Sequence, residues 1–522
     1  MAEFIYTFDT TLRDGSQTNG VNFSLQDKIT IAKLLDDFKI DFIEAGWPGT
    51  NVTDTDFFEN PPDLKHSKIV AFGMTKRFGK KDVLFENLLK AKASVISVVG
   101  KTWDFHVLEA LNISLEDNLK SISESVLKIR ESGKEAIFTA EHFFDAFKNN
   151  PSYALECVKT AFDAGARWIT LCDTNGGTMP DEIYRIVQET TSVIPSENLG
   201  FHAHNDTGNA VANSLIAVKA GIRLINGTIN GLGERCGNAD LTTVIPNLIL
   251  KMGYKTSIPE DGLKKLTRLS HCLYEILNVS PEKRQPYVGS SAFAHKSGLH
   301  VSAISKNPKS YEHIDPEEIG NVRHVSVSEQ SGKSNILVLL KQIGIETENS
   351  DARVEQLLDL VKEKEKEGFT YDGAEASFEL MARQFLYGLP VFFRLEGFRV
   401  VDERRYNARG VLQTLSDVTV RLTIQDKYFI EAADGCGPVD ALAHALFKAL
   451  LPIYPSLKTF RLYDYKVRIF ASERGTGAVT RVMIEAGDVN GKRWSTVGIS
   501  QDIIDASFQA LYDSIIYKLI QE

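Results

Sequence analysis

Leu199-Gly200-Phe201-His202-Ala203-His204-Asn205-Asp206 joins a strand-like run to a pair of histidines. Residues suited to a short buried strand run straight into two histidines separated by one alanine. Side chains two apart on a strand share a face, so His202 and His204 project together while Ala203 points away. Two neutral imidazoles on one face are half of a divalent-metal site. The plainer reading is a pair of hydrogen-bonded histidines at a polar strand end, and the rest of the chain decides between the two.

Working outward, similar apolar runs occur at 4–8, 42–46, 69–72, 95–99, 136–140 and 168–172 before this stretch, and at 224–228 after it. Between them lie helical patterns. Ser24 stands where an N-cap belongs, with Asp27 at the capping-box offset. Ile31, Leu34, Leu35 and Phe38 then recur at helical spacing. Gly133, Gly165 and Gly221 each fall shortly before the next strand, where helices end on glycine. Eight strand–helix units in about 250 residues predict a (β/α)8 TIM barrel, with a doubly wound open sheet as the alternative. Arg13, Asp14, Glu141, Asp173, Thr174, His202 and His204 all fall at carboxyl ends of strands, the working face of such a barrel.

At 522 residues the chain exceeds one core. Residues 1–255 read as the barrel and 256–385 as linker subdomains, mostly helical. Within the linker, the charge run at 362–367 reads as a solvated helix face. Residues 386–522 read as an α+β domain. There Val418, Val420, Leu422 and Ile424 alternate with polar residues, as on a half-buried antiparallel strand. Asn490-Gly491 signals a hairpin. Residues 429–446 align with 494–511 without a gap, an internal repeat of strand followed by helix.

The hydrophobic share of 43% and charged share of 25% are those of a soluble globular protein. A net charge of −10 argues against a nucleic-acid binder. Five scattered cysteines without a CxxC pair suggest free thiols in a reducing compartment. No apolar stretch reaches membrane-spanning length. A cytoplasmic enzyme without membrane or nucleic-acid partners is expected.

Asp14 follows the first strand, His202 and His204 end the seventh, and Asn238 follows the eighth. Those strands are neighbours in a closed barrel, so the four side chains can converge on Mg, Mn, Zn or Co with positions left for substrate. Arg13 beside them suits an oxyanion or a substrate carboxylate, or else an ion pair with Glu44. Glu141 suits an acid, a base or an ion-pair partner. Thr174 suits a hydrogen bond to a carboxylate or a helix cap. The glycine-rich 230–238 lacks both the Rossmann and the P-loop spacing.

Taken together, the motifs resemble the 2-isopropylmalate, homocitrate and citramalate synthase family. They are Asp9–Gly15 with Gln17, His202–Asp206 with Ala210–Ser214, Thr228–Arg235, Ser297–His300, Tyr311–Pro316 and Gly437–Ala441. Thr102–His106 and Trp494–Ser500 resemble the branch that accepts pyruvate, whereas 2-oxoisovalerate would mark the leucine branch. The resemblance implies a Claisen-type condensation of acetyl-CoA with a 2-oxo acid. It implies a metal at Asp14, His202, His204 and Asn238. It implies Arg13, Glu141, His300 and Tyr311 in the chemistry, and Arg13, Thr139, Thr174 and His106 at the 2-oxo acid. It places Gly231, Gly233 and Gly237 near the CoA thioester arm. It further implies a homodimer whose C-terminal domain receives isoleucine, with helix N-termini near Gly437 and Gln501 taking its carboxylate. An acyl-CoA lyase and a ligand sensor with a vestigial barrel are the rival readings.

Overall fold

The computed structural model describes residues 3–79, 81–325, 333–348, 351–371, 373–406, 409–470, 478–489 and 491–521. Eight parallel strands close into a barrel in sequential order. They are β1 Tyr6–Asp9, β2 Phe42–Gly46, β3 Lys68–Met74, β4 Val95–Lys101, β5 Glu135–Glu141, β6 Trp168–Asp173, β7 Leu199–Ala203 and β8 Leu224–Gly227. β8 returns to β1, with Tyr6 opposite Leu224 and Asp9 opposite Gly227, which excludes the open sheet.

The predicted start and stop signals act as expected. Ser24 and Asp27 form a reciprocal capping box on the helix Leu25–Phe38, which buries Ile31, Leu35 and Phe38. Gly133, Gly165 and Gly221 adopt positive φ at the ends of their helices.

The barrel interior explains where chemistry can occur. Phe8, Phe42, Val70, Val95, Ile137, Trp168 and Leu224 form a closed apolar layer. A step of two residues along a strand keeps the same face. From that layer it reaches Thr10, Glu44, Phe72, Ser97, Thr139, Thr170 and Asn226, all polar except Phe72. A further step on β4, β5 and β6 reaches Val99, Glu141 and Cys172. The inward face therefore turns from apolar to polar toward the carboxyl ends.

Two compact units divide the chain. One runs to Phe293 and adds Ile314–Arg323; the other holds Ala294–His313 and His324–Glu522. In the first, the helical pattern expected after the barrel begins as a 3-10 turn, Glu260–Lys265, and continues as the helix Leu266–Ile276. In the second, β9 Ala294–His295 pairs with β10 His324–Val325. The helices Gly298–Lys306, Lys333–Gln342, Ala352–Glu367 and Glu375–Tyr387 make up the rest of the linker. On Ala352–Glu367, capped by Asp351 and ended by Gly368, the core face is Val354, Leu357, Leu358 and Val361. The charge run lies outside that face.

The repeat is visible as two copies of three antiparallel strands followed by a helix. β11 Arg394–Tyr406, β12 Leu412–Ile424 and β13 Lys427–Gly435 precede the helix Pro438–Leu450. β14 Arg461–Phe470, β15 Val479–Gly487 and β16 Arg493–Ser500 precede the helix Ile503–Ile520. Val418, Val420, Leu422 and Ile424 are fully buried on β12. Asn490 lies outside the described residues, but Gly487 pairs with Arg493 across the predicted hairpin.

One expectation needs correction. The N-terminus of Ile503–Ile520 already holds a carboxylate: Asp502 accepts from the Ile504 and Asp505 amides at 2.7 and 3.4 Å. An effector carboxylate there would have to displace it. The N-terminus at Gly437 has no side-chain cap. Among the described residues all five cysteines are free, and no helix is long and apolar enough to cross a membrane.

Candidate active site

His202 is the last inward residue of β7. His204 lies just past its end, bridged to Asn238 in the loop after β8. Their Nε2 atoms are 3.3 Å apart. Asp14 Oδ2, from the turn after β1, lies 3.4 Å from His202 Nε2 and 3.8 Å from His204 Nε2. One ligand atom from each of these three buried residues lies within 4.8 Å of the other two. Donors bound at roughly 2.0–2.2 Å around one cation stand about 3–3.5 Å apart, so the spacing matches a two-histidine, one-carboxylate set.

Hydrogen bonding supports the same fit. His202 Nδ1 lies 3.0 Å from Asn226 Oδ1, which makes that nitrogen the donor and leaves an Nε2 lone pair facing His204. If His204 Nε2 also carries a lone pair, the two repel. If it carries the proton, His204 Nδ1 becomes an acceptor, and that atom is buried without a partner. A cation among the three donors removes the repulsion between the facing Nε2 lone pairs. Burial and then the neighbouring His202 push His204 down to about 3, so it stays neutral as a ligand must. Burial alone would raise Asp14, but the Arg13 guanidinium with His202 and His204 outweighs it and holds Asp14 at about 2.

Asn238 reaches the cluster through its amide nitrogen, which donates to Asp14 Oδ2 at 2.9 Å. Its Oδ1 is buried without a partner. Turning the amide over would bring the oxygen to Asp14 instead of the nitrogen.

Arg13 bridges the site to the barrel interior. Its Nε donates to Glu44 Oε2 at 2.7 Å, its Nη1 lies 3.3 Å from Asp14 Oδ1, and its guanidinium sits over Phe72. Thr10 also donates to Glu44 at 2.7 Å. The structural ion pair and the position beside the ligand set thus both hold. Burial, and then the charge of Glu141, pushes the Cys172 thiol on β6 well up.

Glu141 pairs with Lys101 across β4 and β5. Thr139 points inward and shares a 3.0 Å hydrogen bond with Ser97. Thr174 does not cap a helix; its Oγ1 accepts from the His142 amide at 2.8 Å. His106 packs against Trp103 and His142, with ring centroids 5.0 and 4.7 Å away. His300 and Tyr311 belong to the second unit, where their ring centroids lie 4.1 Å apart with the planes tilted by 30°.

The glycines after β8 answer first to their own loop. A Cβ on Gly233 would meet Asn238 Oδ1 at 2.8 Å, and one on Gly237 would overlap the Gly231 carbonyl. Gly237 also has φ +88°. Gly237→Ala is therefore expected to cost at least about 2 kcal/mol and to displace Asn238, seen as a lower Tm together with weaker metal retention. A cavity of about 350 Å3 opens beside this loop, lined in part by Asn205, Cys236, Tyr274 and Arg284.

Sequence reasoning missed Asn226, His142 and Asp145. Asn226 had a signal, a polar residue inside an apolar run. His142 and Asp145 sit in 142–147, a stretch that reads as an ordinary amphipathic helix start.

Residues 4–271 match the HMGL-like family, 287–368 the homocitrate synthase post-HMGL domain-like family, and 372–519 the LeuA allosteric (dimerisation) domain. Barrel, linker and repeat domain thus define the class as an HMGL-like enzyme carrying an allosteric domain. An (R)-citramalate synthase of Aquifex aeolicus is 48% identical, over 100% of this chain and 99% of its own. One from Geobacter sulfurreducens is 48% identical over 98% and 97%. A 2-isopropylmalate synthase of Methanocaldococcus jannaschii is 32% identical over 98% and 94%. The chain belongs to the (R)-citramalate synthase family.

Proposed function

We propose that this chain condenses acetyl-CoA with pyruvate and hydrolyses the resulting thioester, releasing citramalate and CoA. The observation that carries the reading is the 48% full-length identity to (R)-citramalate synthases, against 32% to a 2-isopropylmalate synthase, in a chain that keeps its ligand set intact. Asp14, His202 and His204 would hold a divalent cation, with Asn238 beside them. When bound, such an ion supplies Lewis acidity to the carbonyl of the 2-oxo acid.

The chain's own groups do the rest. Arg13, fixed by Glu44 on one edge, directs its remaining N–H groups at the oxygen that becomes an alkoxide. Thr139, Thr174 and His106 border the acceptor. Glu141, His300 and Tyr311 are the candidates to take the methyl proton of acetyl-CoA. The loop of Gly231, Gly233 and Gly237 borders the thioester arm. In this reading residues 1–255 are catalytic, 256–385 connect, and 386–522 regulate and dimerise.

Release of CoA from acetyl-CoA, measured with pyruvate, 2-oxobutyrate, 2-oxoisovalerate and 2-oxoglutarate, tests the substrate. Pyruvate is expected to give the highest kcat/KM, with 2-oxobutyrate a poor second. A higher value with 2-oxoisovalerate overturns the reading in favour of the leucine branch. A pocket fitted to the smaller acid excludes the larger by overlap, which discriminates better than the 1–3 kcal/mol of a missing methylene.

The same reading assigns isoleucine to the seam between the repeats. Removing the residues after about 390 is expected to abolish isoleucine inhibition, because a ligand shifts only an equilibrium between states it binds unequally. Equal sensitivity of full-length and shortened enzyme to millimolar isoleucine would contradict it.

A further inference from the structure

His142 follows Glu141 directly and is left-handed, with φ 54° and ψ 32°. Histidine is among the residues enriched in this form, but for any side chain the turn costs backbone energy that contacts must offset. Here the contacts are specific. The His142 amide donates to Thr174 Oγ1 at 2.8 Å, tying the loop after β5 to the loop after β6. Its Nδ1 lies 2.9 Å from Asp145 Oδ2, while Asn175 Nδ2 donates to Asp145 Oδ1 at 3.1 Å. Burial would raise Asp145, but hydrogen bonds from His142 and Asn175 outweigh it, so the carboxylate stays ionised and fixes the ring. That ring then stands edge-to-face against His106, with Trp103 beside both. His106 Nδ1 is buried and has no partner.

We propose that His142, oriented by Asp145, is a positioning residue for the acceptor: it sets the His106 ring and the Thr174 hydroxyl that border the 2-oxo acid. The inference rests on the reading above that His106 and Thr174 face the acceptor. The turn at His142 spends backbone strain to bring both contacts to one residue. The site so defined is an aromatic wall at the ends of β4 and β5, opposite the ligand set on β7 and β1.

The test uses the full-length, metal-loaded enzyme and the acceptor that the wild type turns over best. His142→Ala and Asp145→Asn are each expected to raise the acceptor KM about tenfold or more while the acetyl-CoA KM stays within about twofold. Both are expected to narrow the preference for pyruvate over 2-oxobutyrate. His142→Asn tolerates the left-handed turn and still offers an N–H to Asp145 but lacks the ring that stands against His106, so it should fold like the wild type and leave the acceptor KM raised. If His142→Ala misfolds by circular dichroism, Asp145→Asn carries the test alone. Parallel changes in both KM values, or none, overturn the proposal. Wild-type enzyme inactive with every 2-oxo acid would instead remove the function on which it rests.

Discussion

His204→Ala is expected to lower citramalate formation by at least about a hundredfold, beyond the 10–100-fold that loss of a partner behind a ligand costs. The variant loses one of three donors that stand 3.3 to 3.8 Å from one another. It also removes a buried imidazole nitrogen that has no partner. The fold should therefore survive, with Tm within a few degrees of wild type when both are measured without metal. Elemental analysis after gel filtration should show metal retained by the wild type and lost by the variant. A folded His204→Ala enzyme that keeps wild-type turnover would remove His204 from the site.

Arg13→Lys is expected to cost turnover heavily, about 10²–10³ in kcat, the range for removing one preorganised donor from a developing oxyanion. Lysine keeps the charge but not the planar fork that reaches Glu44 and Asp14 together. Sequence alone suggests only a modest effect on stability. The structure revises that expectation, because Glu44 is 1% exposed and depends on Arg13 and Thr10 for its partners. A loss of about 1–3 kcal/mol is expected, read by urea unfolding beside the steady-state rates. Unchanged kcat with reduced stability would leave Arg13 a structural ion pair only.

The barrel was legible because its signals are local. Each strand is a short apolar run, each intervening helix carries its own periodicity, and glycines mark the ends. The cluster of Asp14, His202 and His204 was legible for a related reason: the histidines obey the two-residue period of a strand and Asp14 follows a strand that closure brings near theirs, whereas Asn238 turns its amide nitrogen to Asp14. What escaped depends on partners far away in sequence. Thr174 reads as a cap or a donor, yet its oxygen receives the amide of His142, 32 residues earlier. Asn226 fixes the His202 tautomer from the adjacent strand. The left-handed turn at His142 is only weakly signalled: histidine is enriched at positive φ, but most histidines lie elsewhere. At the far end of the chain, Asp502 fills a helix N-terminus that the repeat alone leaves open. In each case residue type gave the capacity to bond and only the tertiary fold gave the partner.

This chain is expected to join the acetyl group of acetyl-CoA to pyruvate at the Asp14, His202 and His204 centre. The most direct test is product analysis with methyl-labelled acetyl-CoA, unlabelled pyruvate and a divalent metal. Mass spectrometry should find label in (R)-citramalate, formed in equal amount with free CoA, and the product should vanish on chelation and return with added metal. CoA released without labelled citramalate, or citramalate formed equally well by the His202→Ala and His204→Ala enzymes, would contradict the account.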